Sequence, residues 1–398
     1  MTEGAGTMIH DAITADPNMM SEERFETTLH ESVKHMLVLQ VGHMYDRDVE
    51  ADVDQIVREG FALVYDTLVP KRSFRTTFLL GNPDIQAMDE RLTILRNKPQ
   101  PDQRTPAWYE RRHNLITASN AYLALGTEAG QNRLIYEKCQ PIDQEKFAKV
   151  NTESPMHKGQ KYEPVSVELY EERYNTKIED FGCITHDDYG FLGASPDGIN
   201  CDPKSKRYGR MLEIKNISNR EIKGIPKKEY WIQMQLQMET CRLPECDFLE
   251  TRFIEYESHD QFVADGTFTH TNDGKRKGII LCFSRDDRPI YEYAPVGASE
   301  DEYGAWESTV MQAREHDSWI RHTYWYLDEF SCVLVLRNEV WFASAIARME
   351  QLWTTVLRER KEGYAHRAPR RRTKHESYAP GLDNLAAAAV CLISSDGL

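Results

Sequence analysis

Apolar positions along this chain keep two rhythms, and their changeover marks its organisation. Between Glu22 and Thr67 the spacing is helical, with Val49, Val53, Ile56, Val57, Gly60, Phe61 and Val64 on one face. The 20 residues at the start are small and polar with scattered Met, a composition expected to fray. Segment 97–106 sets three prolines among polar residues and reads as a linker, so residues 1–100 are expected to form a helical extension. From Trp108 to about Leu357 helical and extended patterns alternate, which predicts an α/β domain over 105–357. Aromatic and β-branched runs predict strands at Phe181–His186, Tyr189–Gly193, Arg207–Asn216, Asp247–Tyr256, Gly278–Phe283 and Ile290–Ala294. Helices are predicted at Lys158–Tyr174, Lys227–Thr240, Asp301–Glu315 and Glu339–Lys361, with a long loop or insertion at Glu257–Lys277. In the last helix Trp341, Ala345, Met349, Leu352 and Val356 make an apolar stripe suited to the core.

Beyond Arg358 the pattern stops. Segment 358–374 has eight Arg/Lys against two Glu, and 358–398 reads as a basic, flexible tail. It suits a DNA-contacting or nuclear-import arm, or a merely solvated end. The chain as a whole is acidic, with 49 basic and 64 acidic residues and a net charge of −15. Coating nucleic acid by bulk charge is therefore excluded, and any such binding has to be local. Eight cysteines show no CxxC pair and no Cys/His zinc spacing, as expected of reduced thiols. His30, His35 and His43 lack a metal-ligand pattern. No secretory signal pattern and no apolar run near the ~18 residues of a membrane span is present. A soluble intracellular protein without membrane contact is the expectation.

The candidate chemistry lies between Tyr162 and Gln237. Ser195-Pro196-Asp197-Gly198 alone looks like a β-turn, and Glu213-Ile214-Lys215 alone like an alternating strand. Together they change the picture. Asp197 is expected to close one strand, and after a hairpin Glu213 and Lys215 share a face of the next, so two acids and a lysine converge. Such carboxylates are hard oxygen ligands of the kind Mg²⁺ prefers, and a neighbouring lysine can position water. Glu163 precedes Pro164, which belongs in a helix's first turn, so Glu163 is expected near a helix N-terminus. Tyr230, Gln233 and Gln237 fall on one helical face. Upstream, Arg112 with Thr117 and Ser119, the latter a good N-cap for a helix over Asn120–Leu125, suits an anion.

In order, Arg112-x6-Ser119, Gly159-x3-Glu163, Asp187, Ser195-Pro196-Asp197-Gly198, Leu212-Glu213-Ile214-Lys215 and Tyr230-x-x-Gln233 resemble the phage lambda-type exonucleases and the YqaJ-like viral recombinase family. Both are branches of the PD-(D/E)XK nucleases. The likeness covers roughly residues 105–255. It implies a restriction-endonuclease-like mixed sheet flanked by helices, and 5′→3′ digestion of duplex DNA ends with Mg²⁺, or Mn²⁺ in its place. It implies Asp197, Glu213 and the Ile214 carbonyl as metal ligands, and Lys215 as the residue orienting water. Glu163 and Gln233 would complete the site, Asp187 would be an accessory acid, and Tyr230 would contact DNA. Arg112, Thr117 and Ser119 would hold a 5′-phosphate. The resemblance also implies 3′ single-stranded tails for viral recombination or replication, a single-strand annealing partner, a homotrimeric ring, and a host cytoplasmic or nuclear location.

Two departures from the compact enzymes stand out. The hairpin after Asp197 is longer and carries Lys204, Lys206, Arg207 and Arg210, which are expected to add DNA contact. The N-terminal extension has no counterpart. The competing readings are an alkaline-type endo/exonuclease on the same metal site and a catalytically silent DNA-end binder. The intact Asp/Glu/Lys set argues against the last.

Overall fold

The computed structural model describes residues 1–41, 49–67, 69–75, 83–142, 154–286 and 288–369, without the side chains of 155 and 156. Arg370-Arg371-Arg372, the alanine-rich end and His43 therefore lie outside the described residues.

The extension holds helices α1 (Thr2–Ala15), α2 (Phe25–Val41), α3 (Glu50–Thr67) and α4 (Ile85–Asn97). The start of the chain is thus helical, contrary to the fraying expected from composition. Ala5, Ile9 and Ile13 are buried on one face of α1, and burial rather than propensity holds that helix. Gly60 lets α1 approach α3 closely, since a Cβ there would meet Ala5 Cβ and Gly6 N at 3.0 Å.

Next come α5 (Pro106–His113), β1 (Ile116–Thr117), α6 (Ala121–Leu125), α7 (Glu128–Cys139) and α8 (Pro155–Tyr174). Short strands β2 (Ile178–Glu179), β3 (Ile184–Thr185), β4 (Leu192–Ala194) and β5 (Gly198–Asn200) precede β6 (Met211–Asn216). Helix α9 (Lys228–Cys241) leads to β7 (Glu245–Glu255), α10 (His259–Ala264), β8 (Lys277–Arg285) and β9 (Arg288–Tyr293). Helix α11 (Glu300–Ala313), β10 (Ser318–Leu336) and α12 (Glu339–Glu362) complete the described elements. Helix α12 thus runs past Arg358 into the first residues of the basic segment.

The main sheet has the order β2-β5-β6-β7-β10-β8-β9, and β1-β4-β3 form a second small sheet. Strands β6 and β7 are parallel, joined by α9, while the other main-sheet pairs are antiparallel. This is the mixed α/β sheet flanked by helices that the sequence analysis expected. Side chains alternate along β6 and β7. Leu212, Ile214 and Leu249 pack with Tyr170 of α8 on one face. Met211 and Phe248 pack on the other face, in a cluster shared with Trp231 and Met234 of α9, with α12, and with α1–α4.

The extension also grips α9 at both ends. Arg72, buried, donates to Met20 O at 3.1 Å and to Pro226 O, with its guanidinium 5.4 Å from the Trp231 ring. Arg91 of α4 donates to Cys241 O at 2.5 Å, satisfying a carbonyl that a helix end leaves open. Segment 97–106 is strapped to the link between β2 and β3: Gly182 N donates to Gln100 Oε1 at 2.8 Å and Gln103 Nε2 to Phe181 O at 3.1 Å.

Three expectations need correction. Pro164 lies mid-helix in α8, so Glu163 is not near a helix N-terminus. An interior proline costs about 3 kcal/mol or more. Here tertiary bonds support the turn, with Asn216 Nδ2 donating to Gly159 O at 2.7 Å and the Tyr293 hydroxyl to Lys161 O at 2.9 Å. Asp197 does not close a strand but sits in the short link between β4 and β5, which belong to different sheets. Of the basic residues after it, Arg207 and Arg210 are buried and ion-paired with Asp247, and Arg210 also with Glu245. They brace the loop instead of facing DNA; Lys204 and Lys206 are exposed.

Candidate active site

Glu213 is fully buried on the α9 face of β6. Burial leaves a carboxylate dependent on protein donors, and three converge on it. Gln233 Nε2 and Lys215 Nζ donate to its Oε1, the first at 2.7 Å, and Gln237 Nε2 donates to its Oε2 at 2.7 Å. Gln233 and Gln237 reach it together because i and i+4 share a face of α9. Gln237 also donates to Ser195 O at 3.3 Å, joining this strand to the turn that carries Asp197. Its role as a holder of Glu213 was not assigned from sequence, although its place on that helical face was visible.

Asp197 Oδ2 accepts from Ile214 N at 2.7 Å, just beyond the point where β5 pairs with β6 at Gly198 and Leu212. In a strand, one residue's N–H and C=O face the same edge, so the Ile214 carbonyl points to the Asp197 side as well.

The charges do not balance comfortably. Burial, then repulsion from Glu213 and Glu163, holds the Asp197 carboxyl well above the usual carboxylate range, against the pull of Lys215 and the Ile214 N–H. Burial also raises Glu163, countered by Arg104 and Lys215 and reinforced by Glu213. Burial alone would lower the Lys215 ammonium, but Glu213 and Asp197 outweigh it and raise its pKa. Lys215 is thus a charged donor, with the Tyr230 ring 5.1 Å from its nitrogen.

Among the described residues no group of three or more His, Cys, Asp and Glu is arranged to hold a metal ion. The donor set that fits a divalent cation is smaller: Asp197, Glu213 and the Ile214 carbonyl. All are hard oxygens, and the two carboxylates repel each other in a way that a cation between them would relieve. Gln237 Oε1, buried at the same place, has no hydrogen-bond partner among the described residues.

Arg112, Thr117 and Ser119 come together at the other end of the site. Arg112 Nη2 donates to Ser119 Oγ at 3.0 Å, and the Thr117 and Ser119 hydroxyls are 3.2 Å apart. The Arg112 guanidinium lies 4.2 Å from the Trp108 ring centre, and Trp108 Nε1 donates to Ser195 Oγ at 3.4 Å. One chain of contacts thus links this cation to the Ser195–Asp197 turn. The N-cap position of α6 is held by Asn120, not by Ser119 as expected, and Thr117 stands at the N-cap of the short helical segment that begins at Ala118.

Asp187 is not brought to this group. Lys98 at 2.5 Å, with Arg91 and Arg242 at 3.6 Å, surrounds its carboxylate, and the Lys98 hydrogen bond lowers its pKa. It ties α4 to the turn after β3. Arg104, absent from the expected site, reaches Glu163 at 3.1 Å.

Residues 107–243 match the family model of the YqaJ-like viral recombinase domain. Glu163, Asp197, Glu213, Lys215, Gln233, Gln237 and the Arg112–Ser119 cluster all fall inside this YqaJ-like domain, whereas Arg104 and strands β7–β10 fall outside it. An uncharacterized protein of Acanthamoeba polyphaga mimivirus is 29% identical over 310 residues, 67% of this chain and 54% of that protein. The chain therefore spans about half the length of the curated relative it matches. Two solved structures of an alkaline exonuclease from Laribacter hongkongensis, one in complex with dAMP, also align. Both are 17% identical and cover 65% of this chain and 95% of theirs, with TM-scores of 0.39 and 0.37. No helix among the described residues is long and apolar enough to cross a membrane.

Proposed function

We propose that the chain is a Mg²⁺-dependent 5′→3′ exonuclease on duplex DNA ends, leaving 3′ single-stranded tails for recombination or replication. The observation that carries this reading is the crowding of Asp197 and Glu213 beside a charged Lys215, inside a YqaJ-like viral recombinase domain.

Asp197, Glu213 and the Ile214 carbonyl would hold the cation, which when bound supplies Lewis acidity toward a phosphate oxygen and acidifies water. Lys215, whose ammonium donates to Glu213 beside these ligands, would orient the attacking water. Gln233 and Gln237 fix both oxygens of Glu213, and such preorganisation keeps a ligand in place as charge develops. The Arg112 guanidinium with the Thr117 and Ser119 hydroxyls would seat a terminal 5′-phosphate. This is what sets the polarity of digestion.

The test is a linear duplex with one 5′ end phosphorylated, beside a covalently closed circle, with Mg²⁺ or with a chelator. Loss of one strand from the phosphorylated end, with the circle intact and no reaction under chelation, is expected. Nicking of the circle would shift the reading to an endonuclease on the same carboxylates. Tight binding without cleavage would overturn the enzymatic reading.

A further inference from the structure

Arg104 stands just before α5 with φ +65°, the left-handed region that side chains other than glycine rarely adopt. Such strain persists only where the surroundings enforce it. Here both neighbours are tied down. Gln103 Nε2 donates to Phe181 O at 3.1 Å. Thr105 Oγ1 donates to Asp102 O at 2.7 Å and accepts from Trp108 N at 3.3 Å. The turn is fixed, and it delivers the Arg104 side chain to one place.

That place is the carboxylate group of the proposed active site. Nη2 of Arg104 donates to Glu163 Oε2 at 3.1 Å, with the Arg104 side chain 50% and that of Glu163 29% exposed. An ion pair this open to solvent adds little stability, and the backbone strain works against even that. Stability therefore does not account for an arginine at this position. A planar guanidinium has several donors in a fork matched to phosphate oxygens. Arg112 turns from the other end of α5 toward Ser119. The two cations consequently address different points along a strand.

We propose that Arg104 binds a backbone phosphate of the strand being cut, next to Glu163, Asp197 and Glu213, with Glu163 holding the guanidinium ready until DNA enters. Arg112 then reads the terminal phosphate and Arg104 an internal one. The proposal rests on the exonuclease reading for its substrate, DNA. Its location lies outside the residues matched by the family model.

The experiment compares the unmodified chain with Arg104→Gly, which removes the guanidinium and relieves the positive φ, so folding is not put at risk. Binding to a 5′-phosphorylated linear duplex is measured under chelation over a range of salt, with steady-state cleavage in Mg²⁺ alongside. Arg104→Gly is expected to weaken binding several-fold and to reduce the slope of log affinity against log salt by about 0.9, the loss of one phosphate contact. Cleavage is expected to slow equally from phosphorylated and hydroxyl ends, whereas Arg112→Ala abolishes the difference between them. Arg104→Lys is expected to restore the salt slope with only part of the rate. An Arg104→Gly slope and affinity equal to those of the unmodified chain would overturn the proposal. If the unmodified chain binds DNA but cuts nothing, the exonuclease reading fails while the slope still decides Arg104. If it binds no DNA, both fall.

Discussion

Strands β6 and β7 carry a charged cluster on each face. On the α8 face, Asp247 and Glu245 meet Arg207 and Arg210, the Tyr170 hydroxyl adds a bond to Asp247 at 2.6 Å, and Arg207 lies 3.7 Å from the Tyr174 ring centre. On the α9 face Glu213, one register position further along, has Lys215 and two amides, while Asp197 and Glu163 crowd the same space. Two cations balance two anions in the first cluster, and burial there serves the fold. In the second, three acids share one half-buried lysine and one half-exposed arginine, and burial and repulsion raise the Asp197 carboxyl. The difference separates a brace from a site. A closed set of partners needs nothing more, whereas an excess of negative charge held rigidly is a place for a cation.

The largest effect expected of this contrast is on catalysis. Glu213→Gln should lower Mg²⁺-dependent strand removal by at least roughly 10³-fold, equivalent to about 4 kcal/mol, with little loss of thermal stability. Retained activity would move the site elsewhere. In the brace the effect should be on folding: Asp247→Ala strands Arg207 and Arg210 as buried cations and should cost about 3–5 kcal/mol in urea unfolding. The activity of the folded fraction should be unchanged. A loss below about 1 kcal/mol would mean that Glu245 and water suffice, since that is the range of exposed pairs.

Asp197→Asn should separate the clusters most cleanly. Removing one charge from the crowded site should stabilise the metal-free protein by about 0.5–2 kcal/mol, and the rise in Tm on adding Mg²⁺ should disappear. A destabilised, metal-responsive variant would contradict the crowding argument.

The smallest effect concerns Lys138, which is buried, donates to Arg112 O at 2.8 Å and has Glu137 no nearer than 3.9 Å. Burial brings its pKa down to about 8. Between that value and 10.5 the unfolded chain binds more protons than the folded one, so stability attributable to this group rises with pH across the window. Below about 8 both states are charged and the cost of burial is fully present. Lys138→Met should therefore raise stability at neutral pH, and the gain should fade as pH approaches 10.5. A gain independent of pH would assign it to packing alone.

Much of this was legible in advance. Helices α8, α9, α11 and α12 fall close to where the sequence put them, and strands β6–β9 to where aromatic and β-branched runs put them, because both are local signals that survive in the sequence. Strand β10 was missed, although it lies between β7 and β8 in the sheet. Its pairing register with β7 shifts between Leu327 and Glu329, and such an irregularity reverses the phase of alternation that a periodic reading depends on. Helix α1 was missed because its small residues are buried against a distant helix.

The site divides along the same line. By itself the sequence determined that Glu213 and Lys215 share a face and that Gln233 and Gln237 share another. Each follows from a fixed local period. Only the tertiary structure decided that Asp187 is consumed by Lys98, Arg91 and Arg242, and that Arg207 and Arg210 turn inward to Asp247. It also decided that Pro164 sits inside a helix and that Arg104 reaches Glu163 across 59 residues of chain. A charge declares its presence in sequence, but its role depends on which opposite charge is near it and how much water remains between them. Both are properties of packing that no local pattern records.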